Sequence, residues 1–180
     1  MILLSAGHSN TDPGAVNKDK RKEADIARDM RNIVALYLRR DTNFSIVTDG
    51  AGLDNESLSQ AVKRVGHGTD DLAIEFHCNA FTSESAKGVE ALAGTDDKAI
   101  CQSLCKAVSD VLNTTVRGSE GGWKSEGSGQ HSRLAFVRAG GIILELFFIT
   151  NPKELEMWDA RKWLVGKEVA KQIALHYEGN

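Results

Sequence analysis

No apolar run in this chain approaches the ~20 residues that a membrane-spanning helix needs, so membrane insertion is not expected. The N-terminus offers only Ile2 to Leu4 as an apolar block, with no basic segment before it and no small-residue cleavage site after it. The chain therefore reads as one made in the cytoplasm without a signal peptide. A surplus of positive charge is also missing: the formal net charge is -3 and the pI is near 6.0, which argues against nucleic acid as the main partner. Local basic runs such as Lys18-Asp19-Lys20-Arg21-Lys22 and Arg39-Arg40 read as solvated surface. Cysteine is scarce and odd in number. Cys78, Cys101 and Cys105 cannot make a disulfide framework, and free thiols in a reducing compartment are the expectation. Cys101 and Cys105 stand four apart on a predicted helix without further ligands nearby, so they read as packing residues. Internal repeats and low-complexity segments are absent. The balance that remains, 41% hydrophobic and 26% charged residues, suits one ordinary domain over 1–180.

What the chain does have is strand patterns alternating with helix patterns. Ile2 to Ala6 reads as a buried strand stopped by Gly7, with His8 on its lip and Pro13-Gly14 closing the turn behind it. A helix beginning near Arg21 or Lys22 carries Ile26, Met30, Ile33, Val34, Tyr37 and Leu38 as one apolar stripe, with Arg28, Asp29, Arg31 and Arg39 off it. Phe44 to Thr48 reads as a short strand, and Asn55 as the cap of a helix whose Leu58, Ala61, Val62 and Val65 face inward before Gly66 and Gly68. In Leu72 to His77, period-two alternation sends Leu72, Ile74 and Phe76 to one face, and Ala73, Glu75 and His77 to the other. Lys87 to Leu92 is the next strand, and Ile100, Leu104, Val108 and Val111 mark a helix capped at Thr95-Asp96-Asp97. From Asn113 to Arg133 the chain is polar and glycine-rich, a long loop in which Trp123 is either a ligand platform or an anchor and His131 reads as a surface residue. Gly141 to Ile149 is the most apolar strand, with Glu145 in its middle, and helical turns at Lys153 to Trp158 precede a closing helix at Trp163 to Tyr177. This order predicts an α/β fold: a single domain with a largely parallel central sheet flanked by helices, phosphorylase/hydrolase-like in layout.

In such sheets the functional crevice lies beyond the carboxyl ends of the strands. His8 and His77 both end strands there, and Glu23 occupies the first turn of the helix that follows strand one. Two imidazoles and one carboxylate are a familiar catalytic zinc set, and a shared metal accounts for a carboxylate on the buried side of a helix. Glu145 is costly in an apolar strand unless it is protonated, hydrogen-bonded or near a cation. Beside such a metal it has a task, accepting a proton from water and passing it to a leaving amine.

The residues Gly7-His8 with Asp12-Pro13-Gly14-Ala15, Glu23, His77-Cys78-Asn79-Ala80, Lys87-Gly88-Val89-Glu90, and Leu144-Glu145-Leu146-Phe147 with Thr150-Asn151-Pro152 run through nearly the whole chain. Together they resemble the zinc-dependent N-acetylmuramoyl-L-alanine amidases of the Amidase_3 type. The resemblance implies cleavage of the amide between N-acetylmuramic acid and L-alanine in peptidoglycan, one Zn2+ held by His8, Glu23 and His77, and Glu145 as the catalytic carboxylate. Two departures stand out: Glu75 replaces the serine usual two residues before the second histidine, and Ser9-Asn10-Thr11 lacks the glycines usual after the first. Glu75 is expected to orient the His77 ring, the alternative being that it competes with Glu145 as the base, and Asn79, Trp123 and His131 are further candidates for substrate or supporting roles. With neither a signal peptide nor a separate cell-wall-binding domain, the expectation is a phage endolysin that reaches the wall, in the periplasm, after release. The alternatives are a bacterial autolysin of the same chemistry, a zinc peptidase or deacetylase acting on another peptidoglycan bond, and a wall-binding module that has kept the fold.

Overall fold

The apolar segments assemble into one six-stranded sheet in a computed structural model that describes residues 1–65, 72–127 and 134–179. Its strands are β1 (Ile2–Ala6), β2 (Ile46–Thr48), β3 (Leu72–Asn79), β4 (Glu90–Leu92), β5 (Trp123–Lys124) and β6 (Ile142–Phe148), and the helices are α1 (Glu23–Asp41), α2 (Leu58–Arg64), α3 (Lys98–Leu112), α4 (Ala135–Arg138) and α5 (Pro152–Glu178). The strand order is β2-β1-β3-β6-β4-β5, and only the β4–β6 pair is antiparallel. β1 and β6 are buried on both faces, which is why they read as nearly continuous apolar runs, whereas β3 sets Glu75 and His77 on one face of an otherwise apolar strand. Among the described residues no helix is long and apolar enough to cross a membrane.

Helices α1, α3 and α5 cover one face, burying Ile26, Met30 and Val34 of α1 with Ile74 and Phe76 of β3 and Leu144 and Leu146 of β6. The short α2 and α4 cover the other, over Leu3, Ala73 and Ile143. β1 leads to β2 on one side and β3 on the other, so the chain reverses direction across the sheet between β1 and β3. That switch point is where an open α/β sheet leaves a crevice.

Several expectations are corrected. Arg31, placed off the α1 stripe, is fully buried, because its guanidinium meets Asp49 at 2.9 Å. Asn55 does not cap α2; Ser57 does, with its N–H donating to Gln60 Oε1 at 3.1 Å, and Leu58 is exposed because so short a helix packs through Ala61. The two C-terminal helical pieces are one 27-residue helix. Its charged middle is tied to neighbours rather than broken: Asp159 pairs with Arg21, Lys162 with Asp29 at 2.6 Å, and Arg161 donates to the Val111 carbonyl at 2.8 Å. Finally, period-two alternation along Gly141 to Ile149 predicts Glu145 on one face with Ile143 and Phe147, and Phe147 does not lie there. An irregularity in the β3–β6 register, after His77↔Glu145 and before Asn79↔Phe148, adds one residue to β6. Phe147 thereby turns toward α5, where its ring meets Trp158 at 5.7 Å.

Candidate metal and proton-transfer site

β1 ends at Gly7, and His8 beyond it takes a positive φ of 70°, a backbone state uncommon for a side-chain-bearing residue. The turn after it closes through reciprocal backbone bonds, Ser9 N–H to Asp12 O at 3.0 Å and Asp12 N–H to Ser9 O at 3.2 Å, so the missing glycines are compensated by His8 itself. A side chain at position 7 has no room: a Cβ there falls 2.3 Å from the His77 ring. At Gly14, where φ is +64°, a Cβ falls 2.5 Å from the His8 ring and 2.7 Å from Glu23 Oε2. These two glycines let the first loop fold down onto the imidazoles.

Glu23 opens α1 and points into this space. Its Oε2 lies 3.1 Å from His8 Nε2 and accepts the Ala15 N–H at 2.9 Å. Its Oε1 lies 2.9 Å from His77 Nδ1 and accepts the Cys78 N–H at 3.0 Å. One ligating atom from each of His8, Glu23 and His77 lies within 4.8 Å of the others. The remaining ring nitrogens are held by carboxylates, His8 Nδ1 by Asp12 Oδ2 at 3.0 Å and His77 Nε2 by Glu75 Oε2 at 3.0 Å. An imidazole backed by a carboxylate on one nitrogen and free to ligate through the other is the arrangement that divalent metal sites use, and an N₂O donor set fits zinc.

The electrostatics agree with a cation between these groups. Burial alone would raise the Glu23 carboxyl, yet hydrogen bonds and charge from the two imidazoles hold it well below the usual carboxylate range. Burial likewise opposes protonation of His77, but Glu23 and Glu75 raise it well above 6.5, and Glu23 with Asp12 raises His8 against its own desolvation. Three acidic groups thus surround two imidazoles, a site short of positive charge.

A second tier supports the first. Ser5 Oγ donates to Asp49 Oδ2 at 2.8 Å and lies 3.3 Å from Glu75 Oε1. Asp49 pairs with buried Arg31, which donates to Asn55 Oδ1 at 3.0 Å, and Asn55 Nδ2 donates to the carbonyls of Ala6 at 2.7 Å and His8 at 2.6 Å. One connected network therefore reaches both histidines, through Glu75 on one side and the backbone of His8 on the other.

Beside the imidazoles runs a row of acids. His77 on β3 pairs in register with Glu145 on β6, and Glu145 with Glu90 on β4. Glu145 is 8% exposed, and its Oε2 has no hydrogen-bond partner among the described residues. Burial pushes its carboxyl up to about 7, with Glu23 and Glu90 adding to the rise and His77 opposing it. Glu90 goes the other way: despite burial, Lys124, Asn79 and Arg117 bring it to about 2. Two carboxyls in adjacent strands with opposite shifts are the pattern of an acid–base site, the proton-exchanging group being the one near neutrality.

Of the remaining candidates, Asn79 donates to Glu90 Oε1 at 3.0 Å. Trp123 belongs to the opposite face: it pairs with core residue Ala91, its indole N–H lies 3.2 Å from the carbonyls of Ala93 and Gly94, and Lys98 of α3 sits over its ring. It anchors the loop rather than offering a platform. His131 lies outside the described residues. Sequence reasoning missed the roles of Asp12, Ser5, Arg31, Asp49 and Asn55. Arg31 had a signal, since it stands four residues from both Ala27 and Ala35, and such small buried residues leave room for a long side chain.

Fold and site together define a hydrolase on an open α/β sheet. Residues 2–175 match the family model Amidase_3, N-acetylmuramoyl-L-alanine amidase, and the chain belongs to that family of peptidoglycan-cleaving enzymes. It is similar to the germination-specific N-acetylmuramoyl-L-alanine amidase of Bacillus subtilis, with 24% identity over 91% of this chain and 73% of the relative. A crystal structure described as an N-acetylmuramoyl-L-alanine amidase from Neisseria meningitidis is 47% identical, covers 97% of this chain and 94% of its own, and superposes with a TM-score of 0.87. The catalytic domain of CwlV from Bacillus (Paenibacillus) polymyxa var. colistinus, at 22% identity, shares the fold with a TM-score of 0.82 over 98% of this chain and 97% of its own.

Proposed function

We propose that this amidase is zinc-dependent, with His8, Glu23 and His77 as the metal ligands and Glu145 as the group that moves the proton, the 180 residues working as one catalytic domain. The observation carrying this reading is the convergence of the three ligating atoms within 4.8 Å, directly beside a buried carboxyl near neutrality. Zinc bound there supplies Lewis acidity for the scissile carbonyl and for water. Asp12 and Glu75 keep the imidazoles in orientation. Glu145, poised to gain and lose a proton near pH 7, takes one from the attacking water and delivers it to the L-alanine nitrogen. The C–N bond breaks, leaving the lactyl carboxylate on the sugar and a free amine on the peptide.

The bacterial relatives named above favour a wall-remodelling autolysin, and a phage endolysin uses the same chemistry on the same bond. Expression from the chain's native locus, during bacterial growth or during phage lysis, separates the two. The chemistry is tested on purified sacculi. Elemental analysis should give about one zinc per chain, digestion should release L-alanine amino termini without new reducing sugar, and His77→Ala should lose most of the metal. Full zinc content and turnover in that variant would refute the ligand assignment.

A further inference from the structure

Two cations stand at the end of the acidic row, and the chemistry above leaves them unused. Arg117 Nε and Lys124 Nζ both reach the same atom, Glu90 Oε2, at 2.7 and 2.5 Å. Glu90 is buried and lies in register with Glu145, so both head groups are fixed one strand beyond the proton-transfer carboxyl. Arg117 Cζ also lies over the Phe148 ring, 4.8 Å from its centroid, and the guanidinium donates to the Lys87 carbonyl at 3.1 Å. Yet neither side chain is consumed by these contacts. Arg117 remains 35% and Lys124 27% exposed, and among the described residues Arg117 Nη2 has no partner and Lys124 Nζ has Glu90 alone. One cation would balance one carboxylate; two leave surplus positive charge and free N–H groups at the surface.

The substrate has an anion to match on one side only. Once the lactyl carboxyl is in amide linkage, the sugar beside the scissile bond is neutral, whereas the stem peptide carries carboxylates. From the L-alanine Cα the next Cα is ~3.8 Å away, so a carboxylate on that residue lies roughly 5–7 Å from the scissile nitrogen. Neighbouring strands are ~4.8 Å apart, so one step from Glu145 to β4 covers that reach.

We propose that Arg117 and Lys124 form a subsite for the free carboxylate of the acidic residue that follows L-alanine in the stem peptide, with Glu90 as the anchor that positions both. The proposal rests on the proton-transfer role given to Glu145. Charge-assisted hydrogen bonds from a fixed guanidinium and ammonium make the subsite selective for the carboxylate over its amide.

The test compares two synthetic peptides, L-alanyl-D-isoglutamate and its isoglutamine counterpart, in equilibrium binding to the full chain, independently of turnover. Wild type should bind the carboxylate form roughly 10–100-fold more tightly. Arg117→Gln and Lys124→Gln each leave one cation on Glu90, so the fold is retained, and each should bring the affinity ratio toward one. The same ratio should appear in KM when the muramoyl-linked peptides are hydrolysed. Equal binding of the two peptides by wild type, or variants that lose affinity for both without losing the preference, would overturn the subsite and reduce the pair to neutralising Glu90. Selective binding without hydrolysis would support the subsite and count against the catalytic reading, so the two fail separately.

Discussion

Replacing Glu145 with Gln should stabilise the metal-free protein while removing its activity, and the gain should depend on pH. In the unfolded chain this carboxyl titrates near its ordinary 4.5, whereas burial in β6 moves it to about 7 in the fold. Between those values the folded chain holds a proton that the unfolded chain has released, so the stability conferred at this position is full below pH 4.5 and is lost as pH rises through 7. At about 1.4 kcal/mol per pH unit the loss reaches about 3 kcal/mol. Glutamine keeps the shape and does not titrate, so the cost of burying a charge disappears. Chelator-treated wild type and Glu145→Gln should therefore differ least near pH 4 and increasingly up to pH 8. At about 2–4 °C per kcal/mol for a chain of this size, the final gap is roughly 6–12 °C in Tm. Urea titrations across that range give the same quantity in free energy. A gap that is constant with pH would refute the reasoning, because it would mean that position 145 does not titrate between folded and unfolded chains as its burial requires. Turnover of the metal-loaded variant on sacculi should fall by roughly 10²–10⁴-fold, the share that general acid–base catalysis ordinarily supplies.

Arg31→Met strands Asp49 in the core and should cost about 3–5 kcal/mol by urea denaturation, most of it recovered in the Arg31→Met/Asp49→Leu double variant; a single variant as stable as wild type would contradict the buried pair. Gly14→Ala should keep its far-UV circular dichroism but bind zinc at least tenfold more weakly in chelator competition, since the new methyl falls on the His8 ring at a backbone angle that disfavours it. Glu75→Ser should weaken zinc affinity roughly 10–100-fold without abolishing turnover. Intact zinc with no turnover would instead make Glu75 a proton carrier.

The parts of the architecture that follow from one-dimensional periodicity were legible. β1 and β6 are apolar because both faces are covered, β3 alternates, α1 carries its stripe, and the strand–helix order leads to a largely parallel sheet. The meeting of His8, Glu23 and His77 was legible for the same reason, since His8 and His77 stand at the ends of adjacent parallel strands and the first turn of α1 must lie on their rim. Tertiary partners were not. Arg31 reads as surface until Asp49 arrives from the loop after β2, and the charged turn of α5 reads as a break until Arg21, Asp29 and Val111 supply partners. The β6 irregularity was equally invisible, because one inserted residue leaves local hydrophobicity unchanged while exchanging the faces of everything after it. Glu90 stands out in the sequence only as part of a motif, and its meaning depends on β4 running antiparallel beside β6.

That placement of β6 has a consequence for the order in which the protein is assembled. The last of the six described strands in chain order occupies a central position, between β3 and β4, which precede it. His8, Glu23 and His77 all lie within the first 77 residues and belong to β1, α1 and β3, whereas Glu145 reaches His77 only after β6 has inserted between two strands already made. Insertion requires a long-range loop closure, the slow kind of step in building a sheet. A nascent chain can therefore bring His8, Glu23 and His77 together while still incomplete, but Glu145 and the strand that closes the sheet arrive together. Closing the sheet and setting Glu145 beside His77 are in that sense one event, and a chain that stops short of β6 lacks both.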